Sequence, residues 1–285
     1  MNTPTIPKPE QRRLRAHFGL SGLPFRKNVG AHQMFDSQAQ RELLAGLRFW
    51  LEVQGLALVT GPSGAGKSIT LRRFVRELPR DRYAVFRVGQ IPSTPSGFLR
   101  SLCRHLGLKA RLYRTDMFDD AQRCLGAWAD QHGTHPVLVL DDAEGMTAPT
   151  LDLLRRLTAA ELDAQTRFSV VLASTERLLN TLREPLLEPL VNRFTYVAAL
   201  RPFSVEDTRN YVRFHLQHAG AHEQVFSDAA VQALFQASQG VPRAINQVAL
   251  QALIHAAVHG VETVDGDRMK HVLHAHPLYR RAAKR

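Results

Sequence analysis

The apolar positions of this chain fall into two regimes. From about Ser37 to Leu200, short unbroken apolar runs alternate with stretches of helical periodicity; beyond Phe203 only the helical periodicity remains. Leu43, Leu44, Leu47, Trp50 and Leu51 recur at helical spacing, behind a Ser37/Gln40 pair that reads as a capping box. The runs "LALVT" (Leu56 to Thr60), "YAVFRV" (Tyr83 to Val88), "PVLVLDD", "RFSVVLAST" and "FTYVAAL" predict five strands. Their near-continuous apolar character suits a parallel sheet covered on both faces, and helices alternate with them. The expected class is therefore α/β, a parallel five-stranded sheet flanked by helices. After "LRPFS", Ser204 with Asp207 caps one helix and Ser227 starts another. "VPRAINQVALQALIHAAVHG" gives a third, with Pro242 in its first turn, and "VDGDRMKHVLHA" a short fourth. This reading predicts a flexible basic arm over 1–17, an α/β domain over 18–202, a small helical domain over 203–275 and a basic tail over 276–285.

The first strand runs directly into "GPSGAGKS", Gly61 to Ser68, the pattern G-x-x-x-x-G-K-[ST] of a phosphate-binding loop. The chemistry needs these residue types in this order. Gly61, Pro62, Ser63, Gly64, Ala65 and Gly66 form a tight turn whose backbone N–H groups point at phosphate oxygens. Lys67 is expected to reach the β- and γ-phosphates, and the Ser68 hydroxyl to ligate Mg²⁺. Ile69 continues into "KSITLRRFVREL", a helix with its N-terminus at the anion. ATP with Mg²⁺ is the expected cofactor pair. The same letters suit a small-molecule kinase or a mechanical switch, and the loop alone does not choose.

The strand "VLVLDDAEG", Val137 to Gly145, ends in an acidic pair. Asp141 is placed to hold Mg²⁺, and Asp142 to orient or deprotonate an attacking water, an arrangement that suits hydrolysis. Aspartate is one methylene shorter than glutamate, so either Glu144 takes the water in its place or hydrolysis is slow.

Charge narrows the partner. Lys plus Arg number 37 against 26 acidic residues, a net charge of +11. Between Ser96 and Thr115 stand Arg100, Arg104, Lys109, Arg111 and Arg114 with no acidic residue, and "RRAAKR" closes the chain. Such clustering points to a polyanion, most simply duplex DNA gripped by its phosphates with little sequence preference. No apolar run approaches 18 residues and no secretory leader precedes the fold, so a cytoplasmic protein off the membrane is expected. Cys103 and Cys124 make neither a disulfide framework nor a metal site, and His215, His218 and His222 read as ordinary helical residues. Trp50 and Trp128 read as core.

Taken together, the phosphate loop, "VLVLDDAEG", "LAST", "PLVNRFTYVAALRPFS" and "GVPRAINQ" resemble the AAA+ ATPases of the ExeA/TniB/TnsC/MuB group, and "HFGLSGLPF" resembles the start of ExeA-type proteins. The resemblance covers roughly residues 17–275 and counts against a guanylate kinase, which has no place for the helical tail. It implies that Ser174 and Thr175 sense the γ-phosphate, that Arg193 is a finger reaching a neighbouring copy's nucleotide, and that Arg243 closes the helical domain as a lid over ATP. It implies a self-assembling ring or filament. Length and basic charge within that group favour a bacterial transposition helper that presents DNA to a DDE-type transposase; the alternative is a secretion-associated ATPase or a nucleotide-gated adaptor. The usual Asp-Glu of the group is Asp141-Asp142 here.

Overall fold

The computed structural model describes residues 9–26, 34–159, 167–221, 224–277 and 279. These divide into two compact units: one runs from Gln38 to Arg201, and the other joins the residues up to Ser37 with those from Pro202 onward.

The first unit is α/β. It opens with helix α2 (Gln38–Val53), then β1 (Leu56–Thr60), α3 (Lys67–Glu77), β2 (Tyr83–Val88), α4 (Pro95–His105) and α5 (Arg114–His132). There follow β3 (His135–Leu140), α6 (Ala148–Leu157), β4 (Ser169–Ala173), α7 (Arg177–Leu182), the single turn α8 (Glu188–Val191) and β5 (Phe194–Ala199). All strand pairs are parallel, in the order β2-β3-β4-β1-β5. The strands β1 and β4 are buried at every residue, as their unbroken apolar runs predict. Their side chains alternate between two cores. Leu56, Leu58, Leu138, Leu140, Val170 and Leu172 pack with α4, α5 and α6; Ala57, Val59, Val137, Val139, Val171 and Ala173 pack with α2 and α3. Trp50 and Phe74 anchor the second core, fully buried, each contributing about 1.5–3 kcal/mol by its burial. Where α2 crosses β5, the Tyr196 hydroxyl lies over Gly46, and any side chain at that position would have to displace the tyrosine ring. Because the strands are parallel, the exits of β1, β3 and β4 lie along one edge of the sheet, which is where open α/β sheets bind ligands.

The second unit is helical: α9 (Val205–His218), α10 (Asp228–Ser238), α11 (Pro242–Val258) and α12 (Gly266–Ala275). Ser204 and Asp207 form the capping box read from the sequence, with Ser204 Oγ accepting from the Asp207 N–H at 3.0 Å. A bridge from Phe226 to Val264 ties the start of α10 to that of α12. Gly240 has φ +70°, and its carbonyl accepts from the Phe203 N–H at 2.9 Å.

The arm and the first domain boundary need correction. Residues 9–17 are helix α1 (Pro9–His17), with Leu14 buried among the side chains of α9 to α12. The described residues between Phe18 and Ser37, expected in the α/β domain, group with the helical unit instead. The reason is a set of specific contacts. The N–H groups of Ser21 and Gly22 donate to the Ala219 carbonyl at 2.7 and 3.2 Å, His17 Nε2 meets the Val261 carbonyl at 2.8 Å, and Phe25 packs on His215 and Phe226. Phe35 meets Phe203, Tyr211 and Phe214 edge-on. Lys8, His222 and the basic residues from Arg280 to Arg285 lie outside the described residues. Trp128 is only half-buried, stacked on His132, with its Nε1–H donating to Thr134.

Candidate nucleotide site

The loop after β1 has the backbone its sequence calls for. Gly61 has φ +146°, and a Cβ there would stand 2.5 Å from the Leu200 carbonyl oxygen, whose own N–H donates back to Thr60. Gly64 and Gly66 are also at positive φ, 86° and 107°. The Ala65 N–H closes the turn on the Pro62 carbonyl at 3.1 Å, and Gly66 is the N-cap of α3. Ser63 is exposed and Ile69 half-buried. The Lys67 side chain is 8% exposed and its ammonium donates to the carbonyls of Gly61 (2.8 Å) and Pro62 (3.0 Å). A buried ammonium held by two carbonyls of the loop it closes stands ready to exchange them for stronger, charged acceptors.

Across from it, the Ser68 hydroxyl donates to Asp141 Oδ1 at 3.0 Å. Asp141 is itself buried, the Asp142 N–H donates to the same Oδ1 at 3.1 Å, and the Asp141 N–H donates to the Val88 carbonyl. The chemistry of this pair fits Mg²⁺: a hydroxyl and a carboxylate, both hard oxygen donors, already face each other beside a phosphate loop. Arg87 Nη2 lies 3.9 Å from Asp141 Oδ2. The sequence reading missed Arg87; its only trace was a charge interrupting the apolar run of β2.

Asp142 takes the left-handed conformation, φ 55°, and is exposed. A 3₁₀ turn (Ala143–Gly145) follows, carrying Glu144. At the exit of β4, Ser174 is buried, its N–H donates to the Val59 carbonyl and its hydroxyl to the Thr175 carbonyl. Thus the loop that carries Lys67 and Ser68, the Asp141 carboxylate and the Ser174–Thr175 pair leave β1, β3 and β4 along the sheet's carboxyl edge, with Ser68 and Asp141 in direct contact.

Arg193 is occupied within its own chain. Its Nη1 donates to the Arg155 carbonyl at 3.0 Å and to Thr158 Oγ1 at 3.3 Å, closing the C-terminus of α6. Arg243 is exposed in the first turn of α11, in the helical unit. The basic residues Arg100 and Arg104 lie exposed on α4, Lys109 and Arg111 in the following connection, and Arg114 at the start of α5. Folding brings acids beside them that linear sequence kept apart: Arg111 pairs with Asp120 at 3.0 Å. Between the cations, Leu112 and Tyr113 are 82% and 66% exposed.

Residues 51–182 match the family model of an AAA domain. The chain is 34% identical over 258 residues to General secretion pathway protein A of Aeromonas hydrophila, an alignment covering 88% of this chain and 46% of that protein. The α/β fold is that of P-loop AAA+ ATPases. It resembles ORC2 of Aeropyrum pernix in complexes with ADPNP and ADP (TM-score 0.63, 14% identity, 87% of this chain and 69% of that one). It also resembles Cdc6p of Pyrobaculum aerophilum (0.62, 19%, 92% and 70%) and the Drosophila ORC bound to DNA (0.58, 16%, 96% and 68%). At these identities the likeness is one of fold. The chain spans about half the length of the curated relative it matches. Among the described residues, no helix is long and apolar enough to cross a membrane. None of their His, Cys, Asp and Glu side chains form a group of three or more suited to hold a metal ion.

Within the matched residues, burial pushes up the thiols of Cys103, which is buried, and Cys124, which is half-buried.

Proposed function

We propose that the chain is a magnesium-dependent ATPase switch of the ExeA type, in which the AAA domain binds and hydrolyses ATP and a partner reads the nucleotide state. The single observation that carries this reading is the Ser68–Asp141 hydrogen bond beside the Lys67-closed loop. Ser68 and Asp141 would hold Mg²⁺, which supplies charge neutralisation at the phosphates. Lys67 would leave the Gly61 and Pro62 carbonyls for the β- and γ-phosphates. The loop N–H groups would orient the triphosphate, and Ser174 and Thr175, at the exit of β4, would sense the γ-phosphate. Arg193, released from α6, would act on the nucleotide of a neighbouring copy, and Arg243 on its own chain's. The 34% identity to General secretion pathway protein A favours a secretion-associated or adaptor role over transposition. The test is nucleotide binding and turnover by the purified chain with and without Mg²⁺; an inert wild type removes the reading.

One observation favours a second reading, duplex DNA as partner. Arg100, Arg104, Lys109 and Arg114 are exposed on one helical hairpin in a chain of net charge +11. Phosphate contacts predict binding that falls steeply with salt and varies little between sequences. The ion pair of Arg111 with Asp120 makes it a weaker contributor than its neighbours. Absence of duplex binding at low salt with an ATP analogue present would leave the protein-partner reading alone.

A further inference from the structure

The connection between α4 and α5 presents two consecutive apolar side chains to solvent from a firmly held backbone. Where the chain leaves α4, the N–H groups of Gly107 and Leu108 donate back to the carbonyls of Arg104 and Cys103 at 3.2 and 2.8 Å, and the Leu108 side chain packs against the core. In the first turn of α5, Met117 is buried again. Every residue between these two anchors, from Lys109 to Asp116, is exposed. Arg111 Nε donates to Asp120 Oδ2 at 3.0 Å, which ties the middle of the connection to α5. Leu112 and Tyr113 follow directly, and Leu112 is the most exposed large apolar side chain among the described residues. Cations stand on both sides of the pair: Lys109 and Arg114 in the same stretch, and Arg104 in the last turn of α4. Asp116, in the first turn of α5, offsets one of these charges. A lone exposed apolar side chain is commonplace, whereas a leucine and a tyrosine side by side among cations form an amphipathic tip.

We propose that this tip docks on an anionic lipid surface, with Leu112 and Tyr113 entering the bilayer interface and Arg104, Lys109 and Arg114 meeting the headgroup phosphates. The cations select a polyanion; the apolar pair selects lipid among polyanions. Phosphate contacts on a duplex would use the cations and leave Leu112 and Tyr113 in water. A bilayer uses every member of the tip. Leucine passes below the headgroups, while a tyrosine ring rests at their level with its hydroxyl still hydrated. The long stems of lysine and arginine lie along apolar surface while their charges reach the phosphates. Arg111, spent on Asp120, contributes position rather than charge. Burying one such apolar side chain strengthens binding about tenfold or more, and each cation near an anionic membrane adds about fivefold. One copy therefore attaches weakly and reversibly. Contact of this kind lies on the membrane and needs no spanning helix. It is also independent of the nucleotide site.

The experiment floats the full chain with vesicles of neutral phosphatidylcholine, and with vesicles of phosphatidylcholine mixed equally with anionic phosphatidylglycerol. The chains are wild type, Leu112→Ser/Tyr113→Ser and Lys109→Gln/Arg114→Gln, and binding to a short DNA duplex is measured beside the vesicles. All four positions are exposed, so an unchanged thermal midpoint certifies the fold of each variant. Wild type is expected on the anionic vesicles and not on the neutral ones. Each double variant should lose at least about tenfold in vesicle affinity, and Leu112→Ser/Tyr113→Ser should keep whatever duplex affinity the wild type has. Leu112→Trp adds a direct reading of depth: on anionic vesicles its emission should shift to the blue and be quenched by brominated acyl chains, over a background from Trp50 and Trp128 given by the wild type. A wild type that ignores anionic vesicles or binds neutral ones equally well would overturn the proposal. So would wild-type vesicle affinity in Leu112→Ser/Tyr113→Ser, or an unshifted Leu112→Trp emission. A loss of duplex binding in Leu112→Ser/Tyr113→Ser with vesicle binding intact would assign the tip to nucleic acid instead.

Discussion

The Ser68 hydroxyl donates to the Asp141 carboxylate at 3.0 Å, joining residues 73 positions apart in the chain. The first turn of α3 and the exit of β3 are thereby locked together at the point where a magnesium ion would enter between them. Ser68→Ala is expected to leave the fold intact, because the Asp142 N–H still serves the same carboxylate oxygen. It should lose the gain in ATP affinity that Mg²⁺ brings. Lys67→Ala should abolish ATP binding outright, a loss of at least a hundredfold, since the one buried cation of the loop is gone. Titration with a fluorescent ATP analogue, with and without Mg²⁺, separates the two effects; undiminished affinity in Lys67→Ala would sink the phosphate-loop assignment.

Arg193 closes the C-terminus of α6 through the Arg155 carbonyl and Thr158. Arg193→Ala is therefore expected to cost about 1–3 kcal/mol of stability, the range for a lost charged hydrogen bond with an orphaned acceptor. A finger acting in trans makes a further demand. Mixed with Lys67→Ala, the Arg193→Ala chain should regain part of its turnover, through interfaces that pair an intact arginine with an intact loop. A stability loss with no complementation would leave Arg193 a structural residue only.

Gly240→Ala should destabilise the helical unit by at least about 2 kcal/mol. The residue has φ +70°, and an added Cβ would stand 2.0 Å from the Phe203 carbonyl oxygen, a backbone atom that cannot swing aside. Chemical denaturation followed by circular dichroism measures this, and a change under about half a kcal/mol would contradict the geometry.

His215 gives the helical unit a pH dependence of known sign. Burial between Phe25 and Tyr211, aided by the like charge of His218, pushes its pKa down to about 4. The unfolded chain takes up the proton near the ordinary 6.5 while the folded chain resists it. Its stabilising effect is thus complete above about pH 6.5 and shrinks as pH falls from there toward 4, at most about 3 kcal/mol in all. Urea midpoints should drop between pH 7.5 and pH 5 in the wild type, and drop less in His215→Phe. Equal drops in both would assign the dependence to other groups.

Much of this was legible in the residues. The five apolar runs became the five strands: β1, β3 and β4 are buried on both faces, as such runs demand, while the edge strands β2 and β5 are only partly covered. The phosphate loop was legible because its glycines have no substitute: at Gly61 a Cβ would strike the Leu200 carbonyl oxygen. The N-terminal segment was not legible. Its basic, proline-containing composition resembles an arm, and partners far away in the sequence, the Ala219 and Val261 carbonyls and the aromatic side chains around Phe25 and Phe35, make it part of the helical unit. The basic run was legible as charge but not as free charge. Asp120 lies nine residues from Arg111 and meets it only once α5 turns the chain back. Arg87, beside Asp141, follows from strand pairing and leaves almost no mark in the sequence.

Magnesium-dependent ATP turnover by the wild-type chain, measured beside Asp141→Asn, is the most direct measurement. Asp141 is buried, serves both the Ser68 hydroxyl and the Asp142 N–H, and faces Ser68 directly. The expected result is slow but measurable turnover in the wild type that vanishes without Mg²⁺. In Asp141→Asn, turnover is lost while magnesium-free nucleotide binding through Lys67 and the loop survives. Turnover that ignores Mg²⁺, or an Asp141→Asn chain that hydrolyses ATP like the wild type, would contradict a nucleotide site built on the Ser68–Asp141 pair.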